Sequence, residues 1–381
     1  MEKFYYLDSA ATTRVFDEEF DLMKLLNENY FFNPSAQYKQ AISSKKILDE
    51  ARENICSILG GKDGNLLFTS SATESNNMVF NCLHLRAGQE VLISAGEHPS
   101  VFASSKLLEK KGIVVKLIPI DKTGKVDEGK FVSMLNEKVA LVSFIHVSNE
   151  TGAINDIKKL TSIVKSFNKN IIVHSDGVQA FGKIKVNLRD LGVDLYTISA
   201  HKIYAPRGIA ALWFRKNVVI DPLLVGGGQE NGLRSSTENM LGAASFSFAA
   251  TKLDAEREKN FELVTNLKNE FLRKLFESDA GKFLKLNSVD GNSPYIISLS
   301  FLGVKGEVLA HALELDGVLI STGSACSAKK AGNRVLEAMG IDSTQIIGSV
   351  RISFSAYENY DLNEIVEIIV KNVLRFEKNN L

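Results

Sequence analysis

Runs of apolar residues alternate with amphipathic stretches through the first two thirds of the chain. The apolar runs predict strands at NLLFTS (65–70), EVLISA (90–95), VVKLIPI (114–120), VALVSFIHV (139–147), NIIVHSD (170–176), DLYTISA (194–200) and IAALWF (209–214). Helix-length segments lie between them, such as Glu74–His84, Ser100–Lys111 and Ile157–Phe167. This alternation predicts an α/β fold with a mostly parallel, buried, seven-stranded sheet. Folds of this kind place their sites at the carboxyl ends of the strands.

The pattern changes after about Ala250. Residues 252–278 predict one long, charged helix, and YIISLSF (295–301), EVLAHALELD (307–316) and VRISFS (350–355) predict two strands and a helix between them. A last helix is expected after Asp361, whose carboxylate suits an N-cap. We therefore predict a large domain over residues 12–255 and a smaller α+β domain formed by residues 1–11 and 256–381. No Pro/Gly-rich linker marks the boundary, which favours a long connecting helix.

The charge balance and the absence of targeting signals narrow the class of protein. Lys plus Arg and Asp plus Glu number 45 each among 381 residues, so no net charge attracts the chain to nucleic acid or to an anionic membrane. The N-terminal residues lack the basic and apolar regions of a signal peptide, and no apolar run reaches the roughly 18 residues that a membrane span needs. We expect a cytoplasmic protein that binds neither membrane nor nucleic acid directly.

Three cysteines and the absence of a CxxC motif argue against a disulfide framework and against a zinc site, so we expect no metal. Cys56 and Cys82 have apolar neighbours, which is typical of inert core thiols. Cys326 differs because it lies in TGSACSAKKAG, among small and polar residues.

The segment YTISAHKIYAPRG (196–208) places Ser199, His201 and Lys202 directly after a predicted strand. Lysine is the amine that forms Schiff bases with pyridoxal 5′-phosphate, and a neighbouring serine and histidine could donate to its phosphate. Taken alone, this segment is better explained as an exposed lysine at a strand end, because a short motif by itself is weak evidence.

The segment IIVHSDGVQA (171–180) places Asp176 at the end of another predicted strand. A buried carboxylate can keep the cofactor's ring nitrogen protonated, which the cofactor needs to act as an electron sink. Gln179 could donate to the cofactor's phenolic oxygen. The alternative is that Asp176 caps a helix.

Three further segments follow predicted strands. FTSSATESNN (68–77) leads into a helix start where backbone N–H groups and the Thr73 hydroxyl could bind phosphate, although Ser71 and Glu74 also have the spacing of a capping box. GEHPS (96–100) places His98 where it could stack on the cofactor and move protons, or serve structurally. HVSNETG (146–152) offers Asn149. Together these segments supply the groups of a pyridoxal phosphate site, so we expect Lys202 to carry the cofactor as an internal Schiff base.

In combination, the motifs resemble the cysteine desulfurases of the NifS/IscS type, within the class V aminotransferase group of fold-type-I pyridoxal phosphate enzymes. The resemblance runs from YLDSAATT (6–13) to RISFS (351–355) and includes FTSSATESNN, EHPSV, SNETG, DGVQAFGK, SAHKIYAPRG, GGGQENGLRSSTEN and STGSACS in family order.

The resemblance implies a role for each matching position. It implies cofactor-binding roles for Ala72, Thr73, His98, Asn149, Asp176, Gln179, Ser199, His201, Lys202 and Thr237. Thr237 would reach the phosphate of a neighbouring subunit, which implies a homodimer. Asn149 and Arg351 would bind the substrate, and Arg351 would take its α-carboxylate, a task that suits a guanidinium.

By the same resemblance, Cys326 is the nucleophile, and Lys202 and His98 complete the catalytic set. The implied reaction removes sulfur from L-cysteine, giving L-alanine and a persulfide on Cys326. The persulfide would pass to a sulfur-acceptor protein, either an iron–sulfur scaffold that can share a transient cluster through Cys326 or a tRNA-thiolation enzyme. Residues 322–335 resemble the long-loop form of the family. The alternatives are a selenocysteine or cysteine lyase, an aminotransferase, or a non-catalytic scaffold.

Some positions depart from the family pattern. NPSAQY (33–38) replaces the usual NPSS followed by His. Ala205, Ser236 and Ser355 stand where glycine is usual. These departures remove no chemical group, so they bear on substrate access and partner choice more than on the chemistry.

Overall fold

A computed structural model describes residues 3–322 and 333–378 of the chain. The strands are β1 (Tyr5–Tyr6), β2 (Gly64–Thr69), β3 (Glu90–Ser94), β4 (Val114–Ile118), β5 (Val139–Ile145), β6 (Ile172–Asp176), β7 (Leu195–Ser199), β8 (Ala210–Arg215), β9 (Leu284–Leu286), β10 (Ile296–Phe301), β11 (Val318–Leu319) and β12 (Ser349–Ser353). The helices are α1 (Asp17–Asn29), α2 (Lys39–Ile58), α3 (Ala72–Cys82), α4 (Pro99–Glu109), α5 (Glu128–Met134), α6 (Ile157–Phe167), α7 (Leu188–Leu191), α8 (Met240–Glu277), α9 (Gly306–Leu315), α10 (Arg334–Ala338), α11 (Ser343–Ile347) and α12 (Leu362–Lys378).

The central sheet has seven strands in the order β2-β8-β7-β6-β5-β3-β4. The four pairs from β7 to β4 are parallel, whereas β8 runs antiparallel to both β7 and β2. Strands β3, β6 and β7 are almost wholly buried, because helices cover both faces of a sheet of this kind. The predicted α/β fold with a mostly parallel sheet is confirmed. The carboxyl ends of β2, β3, β5, β6 and β7 consequently lie at the same edge.

Short polar side chains start the helices that follow these strands. Ser71 accepts a hydrogen bond from the Glu74 N–H and caps α3, and Asp156 accepts from the Lys159 N–H and caps α6. His98 caps α4 by accepting from the Ser100 N–H. Each cap satisfies a backbone donor that the helix leaves open, so the loops after the strands are fixed where they leave the sheet.

A smaller antiparallel sheet, in the order β12-β10-β9, has its own apolar core. Helix α8 spans 38 residues and contributes to both cores. Met240 to Leu253 pack with the central sheet, and Val264, Phe271 and Leu275 pack with the small sheet. The domain boundary near residue 255 stays a prediction.

The predicted strands and helices agree with the structure to within a few residues, with one larger difference. Helix α8 begins at Met240 rather than at residue 252. The added segment, MLGAASFSFAAT, is small and uncharged, so it lacks the polar face that marks an amphipathic helix. It is helical because it packs against α2. At the other end of the chain, Asp361 Oδ1 accepts from the N–H groups of Asn363 and Glu364, which confirms the predicted cap of α12.

The N-terminal segment crosses from the small sheet to the edge of the central sheet. Strand β1 pairs in parallel with β11, and Asp8 forms a bridge with Ser353 of β12. Further along, the Thr13 N–H donates to the His201 carbonyl at 2.9 Å. In residues 3–322 and 333–378, no helix combines the length and apolar character that crossing a membrane requires.

Candidate active site

Polar side chains from segments far apart in the sequence meet at the carboxyl edge of the central sheet. Asp176 ends β6 and Ser199 ends β7, and these strands are neighbours. His98 lies at the start of α4, after β3. Lys202 and Gln179 are joined to each other in the same region, because both donate to the Ala10 carbonyl. The edge predicted from the sequence is therefore the place where the candidate residues gather.

Lys202 ends a short 3-10 turn, Ala200–Lys202, that follows β7 directly. Its side chain is half-buried, and its Nζ donates to the carbonyl of Ala10 at 2.7 Å and also to the carbonyl of Ala11. The amine is thus held at the end of the strand by the N-terminal segment. This contact places a nucleophilic nitrogen next to the ends of β6 and β7.

The Asp176 carboxylate is buried and held on both oxygens. Asn76 Nδ2 donates to Oδ2 at 2.9 Å, and the Val178 N–H donates to Oδ1 at 3.1 Å. Donors to both oxygens fix the orientation of the carboxyl group. Asp176 caps no helix, since a turn follows it, so the structure favours a carboxylate aimed at the site over the capping alternative.

His98 joins the same network through a serine. Ser100 Oγ lies 2.8 Å from His98 Nδ1 and accepts from Asn76 Nδ2, also at 2.8 Å. The Ser100 N–H donates to Nδ1 as well, at 3.1 Å. Two donors on Nδ1 place the proton of the neutral ring on Nε2. Burial lowers the pKa of His98, although Asp176 acts against the shift, so burial favours the neutral ring.

Gln179 is buried and its amide is engaged at both ends. Its Nε2 donates to the Ala10 carbonyl at 2.8 Å, the same oxygen that accepts from Lys202. Its Oε1 accepts from Lys183 Nζ at 2.7 Å. The structure therefore joins Gln179 to Lys202 through one backbone carbonyl.

Ser199, His201 and the start of α3 supply further polar groups, and His201 Nδ1 lies 3.2 Å from Thr12 Oγ1. Ser199 Oγ is buried and has no hydrogen-bond partner among the described residues. Burial first, then Lys202, lowers the pKa of His201 to about 4, so its ring is neutral. Ala72 and Thr73 occupy the first turn of α3, and Thr73 is exposed. The first N–H groups of a helix lack intrahelical partners and favour anions.

Arg351 on β12 reaches the site from the small sheet. Its Nη2 donates to Asp8 Oδ1 at 2.8 Å, and its Nη1 donates to the Asn149 carbonyl at 3.0 Å. Within the described residues its Nε is buried without a partner. The Asn149 amide donates to Glu150 Oε1 at 3.1 Å. The guanidinium is thus fixed in place with a donor to spare.

Thr237 and Cys326 are predicted site residues that no described contact joins to the hydrogen bonds around Lys202, Asp176 and His98. Thr237 is exposed in the loop before α8, and its predicted role requires a second subunit. Cys326 lies outside the described residues, as do most of residues 322–335. The two other cysteines are buried, as predicted, and burial raises the pKa of Cys56 to about 11. Both are therefore poor nucleophiles.

The departures from the family pattern have local explanations at two positions. Ser355 Oγ lies 2.7 Å from the Tyr204 hydroxyl and accepts from the Tyr357 N–H at 2.9 Å, so its hydroxyl is committed to packing. Ala205 needs no left-handed backbone, because Tyr204 before it takes the positive φ of 67°. Ser236 has a φ of 155°, a conformation that glycine adopts more readily.

Asn76, Lys183 and Asp8 were not singled out as site residues by the sequence analysis, yet each contacts one of the predicted ones. All three lie inside motifs that were recognised for other residues: Asn76 in FTSSATESNN, Lys183 in DGVQAFGK and Asp8 in YLDSAATT. Lys183 follows Gln179 by four residues, a spacing that puts two side chains on one face of a helical turn. That spacing could have indicated the contact between Lys183 and Gln179. No spacing could have indicated the contact between Asp8 and Arg351, which lie 343 positions apart.

Comparison with known proteins agrees with this geometry. The family model for aminotransferase class-V matches residues 5–364. A protein named cysteine desulfurase IscS, from Dictyoglomus turgidum, is 36% identical, and the match covers 97% of this chain and 96% of that protein.

Solved structures give the same result. A NifS-like protein superposes with a TM-score of 0.88 at 30% identity, covering 98% of this chain and 100% of that one. A structure described as SspA in complex with cysteine superposes with a TM-score of 0.80 at 27% identity, covering 93% and 99%. The resemblance stated from the sequence is confirmed: this chain belongs to the aminotransferase class-V family and is similar over almost its whole length to cysteine desulfurases of the IscS and NifS type.

Proposed function

We propose that the chain is a pyridoxal phosphate-dependent cysteine desulfurase that converts L-cysteine to L-alanine and leaves the sulfur on Cys326 as a persulfide. The observation that carries the proposal is the meeting of Lys202, Asp176 and His98 at one edge of the sheet, in a chain 36% identical to a cysteine desulfurase.

The residues at this edge fit pyridoxal phosphate. Lys202 supplies the amine that would hold it covalently, and the buried Asp176 carboxylate would face its ring nitrogen. The unpaired Ser199 hydroxyl, His201 and the first turn of α3 at Ala72 and Thr73 would hold its phosphate. Gln179 would donate to its phenolic oxygen, and His98 would stack on its ring. The Ser199 hydroxyl supports the fit because it lies at the end of β7, directly before the turn that ends in Lys202, and has no partner among the described residues.

When bound, the cofactor serves as an electron sink that weakens bonds at the substrate's carbon atoms. The chain's own residues do the rest. Arg351 binds the α-carboxylate through the N–H groups that Asp8 and Asn149 leave available, and Asn149 lies beside it.

Proton transfer falls to Lys202 and His98. Nδ1 of His98 accepts from Ser100 and Nε2 carries the proton of the neutral ring, so Nε2 is the ring atom that can donate. The Cys326 thiolate attacks the sulfur of the substrate: a sulfur–sulfur bond forms, the carbon–sulfur bond breaks, and the product carbon takes a proton. The overall change, cysteine plus enzyme thiol to alanine plus enzyme persulfide, is balanced.

The cysteine bound in the SspA structure supports cysteine as the substrate. For the assembly, we propose a homodimer in which Thr237 completes the partner's phosphate site; its exposure on the loop before α8 supports this role. We propose an iron–sulfur scaffold or a tRNA-thiolation enzyme as the sulfur acceptor. Copurification of acceptors with wild-type protein, lost with Cys326→Ala after cysteine treatment, would identify the acceptor.

Alanine formation from cysteine tests the reaction. Wild-type protein should show the visible absorbance of lysine-bound pyridoxal phosphate and should produce alanine with one enzyme persulfide. Cys326→Ala should keep the absorbance and lose alanine formation, whereas Cys82→Ala should keep both, because Cys82 is buried in the core. Full activity in Cys326→Ala would favour a lyase or an aminotransferase. A protein without visible absorbance would favour a scaffold.

A further inference from the structure

Lys183 is a second lysine beside the site, and it is deeply buried. Only 5% of its surface is exposed. Its Nζ donates to Gln179 Oε1 at 2.7 Å and lies 5.8 Å from the centre of the Tyr295 ring. Buried lysines are rare unless a specific partner holds them. Here the specific partner is the amide of a residue proposed to contact the cofactor.

The surroundings of Lys183 are positively charged. Burial lowers its pKa to about 7, and Lys202 and Arg351 act in the same direction. A small cavity joins it to Lys202, together with the side chains of Tyr204, Asn260, Tyr295 and Tyr357. The charged and titratable groups that face it are therefore Lys202, Arg351 and the three phenols. In this low-dielectric setting, charge on one lysine acts strongly on the other.

Lys183 also determines how Gln179 is oriented. In its protonated form Lys183 donates and cannot accept, so only the amide oxygen of Gln179 can face the ammonium group. The amide nitrogen must then point away, toward the Ala10 carbonyl and Lys202, as observed at 2.8 Å. Without the amine, the amide could turn over and present its oxygen to the site, where it would repel the Ala10 carbonyl.

We propose that Lys183 is a positioning residue: it fixes the Gln179 amide with its nitrogen toward the cofactor and places a second positive charge beside Lys202. The inference rests on the proposed pyridoxal phosphate site and goes beyond it, because it assigns a task to a residue that contacts neither substrate nor reacting atoms.

Two substitutions separate the two parts of this role. Lys183→Met removes both the charge and the donor, whereas Lys183→Gln removes the charge and keeps a donor. The readouts are the dissociation constant of pyridoxal phosphate and the pH midpoint of its visible band. Both variants should raise the midpoint by about one pH unit, because loss of a nearby positive charge favours the protonated form of the lysine-bound cofactor. Lys183→Met should weaken cofactor binding about tenfold, and Lys183→Gln clearly less.

Lys268→Met is the matched control. Lys268 is also buried, at 8% exposure, but it lies on α8 beside the core of the small sheet. The Lys268→Met variant should lower the melting temperature. It should leave the pH midpoint of the visible band and the affinity for pyridoxal phosphate unchanged. Unchanged values in both Lys183 variants would overturn the inference. If Lys183→Met does not fold, the pH midpoint of the visible band in Lys183→Gln tests the inference. A wild-type protein without a visible absorbance band would refute the cofactor site itself. A normal band whose midpoint is the same in wild type and in the Lys183 variants would refute only the role of Lys183.

Discussion

Asn76 connects the two sides of the site through one side-chain amide. Its two hydrogens go to Asp176 Oδ2 and Ser100 Oγ, and Ser100 in turn contacts His98. The residue that would face the ring nitrogen and the residue that would stack on the ring are therefore held at a fixed separation by a third residue. Such coupling makes the position of His98 sensitive to a change at Asn76.

Asn76→Leu should loosen this network. A leucine of similar size cannot donate to Asp176 or Ser100, so we expect a loss of about 1–3 kcal/mol in the free energy of unfolding. We also expect weaker retention of pyridoxal phosphate, measured by dialysis and visible absorbance. Asn81→Leu is the control, because Asn81 lies on the same helix and its amide donates only to Asn77. Equal cofactor loss in both variants would contradict the prediction.

Arg351→Lys should weaken substrate binding. The guanidinium is fixed by Asp8 and the Asn149 carbonyl and keeps Nε for a carboxylate, a geometry that an ammonium group cannot reproduce. We expect kcat/KM for cysteine to fall about 10- to 100-fold, mostly through KM. Arg273→Lys on the exposed face of α8 should leave both constants unchanged. An unchanged KM in Arg351→Lys would refute the assignment.

Among single residues, the sequence identifies those that follow strands and belong to motifs, as Lys202 and Asp176 do. It does not identify the residues that hold them. Asn76 lies 100 positions from Asp176, and their contact depends on how α3 packs against β7 and β8, next to β6. No periodicity within either segment could indicate that pair. The roles of the site residues stay predictions until they are tested.

Among the elements, α1 has an unusual buried carboxyl. Glu19 is fully buried, and neither of its carboxyl oxygens has a partner among the described residues. Burial raises the pKa of Glu19 to about 8, although the nearby Ser245 hydroxyl opposes the shift; Glu18 adds slightly to it and Lys252 slightly opposes it. Since α1 packs on α8, this carboxyl is desolvated between two helices.

The raised pKa makes the stability of the fold depend on pH. Between the unfolded pKa, near 4.3, and the folded value of about 8, the folded state binds more protons, so stability falls as the pH rises. Each unit of the shift corresponds to about 1.4 kcal/mol. Glu19→Gln should therefore raise the free energy of unfolding more at pH ~8.5 than at pH ~5.5, measured by urea denaturation. Glu18→Gln, which changes an exposed carboxylate paired with Lys252, should not reproduce this difference.

Helix α8 shows where prediction of elements from sequence ends. Its charged half, from residue 252, carries an amphipathic pattern and was predicted. Its first half is helical because small side chains, including Gly242, Ala243 and Ala249, fit closely against neighbouring elements. Tertiary packing of this kind overrides weak local propensity, and one segment read alone does not contain that information.

The whole molecule depends on its N-terminal segment, which contacts both sheets. Asp8 pairs with Arg351, while the carbonyls of Ala10 and Ala11 accept from Lys202. Strand β1 adds pairing with β11. A short stretch of chain thus connects residues from the central sheet with residues from the small sheet.

Deletion of residues 1–9 tests this dependence. It removes β1 and Asp8, leaving the largely buried Arg351 without its counter-ion, and should lower the free energy of unfolding by about 3 kcal/mol or more. Cofactor retention should fall as well. Asp8→Ala removes only the ion pair, so it should lower the free energy of unfolding less than the deletion does. A deletion that is as stable as the wild-type protein would contradict the prediction.

The shared Ala10 carbonyl has a consequence for biosynthesis. The ribosome makes Ala10 long before Lys202, and it makes Lys202 long before Arg351 and β12. Because chains fold progressively as they emerge, a nascent protein can complete most of the central sheet before the N-terminal segment has its last partners. Stable loading of the cofactor should therefore follow synthesis of Arg351 and β12, and products truncated before β12 should lack the cofactor.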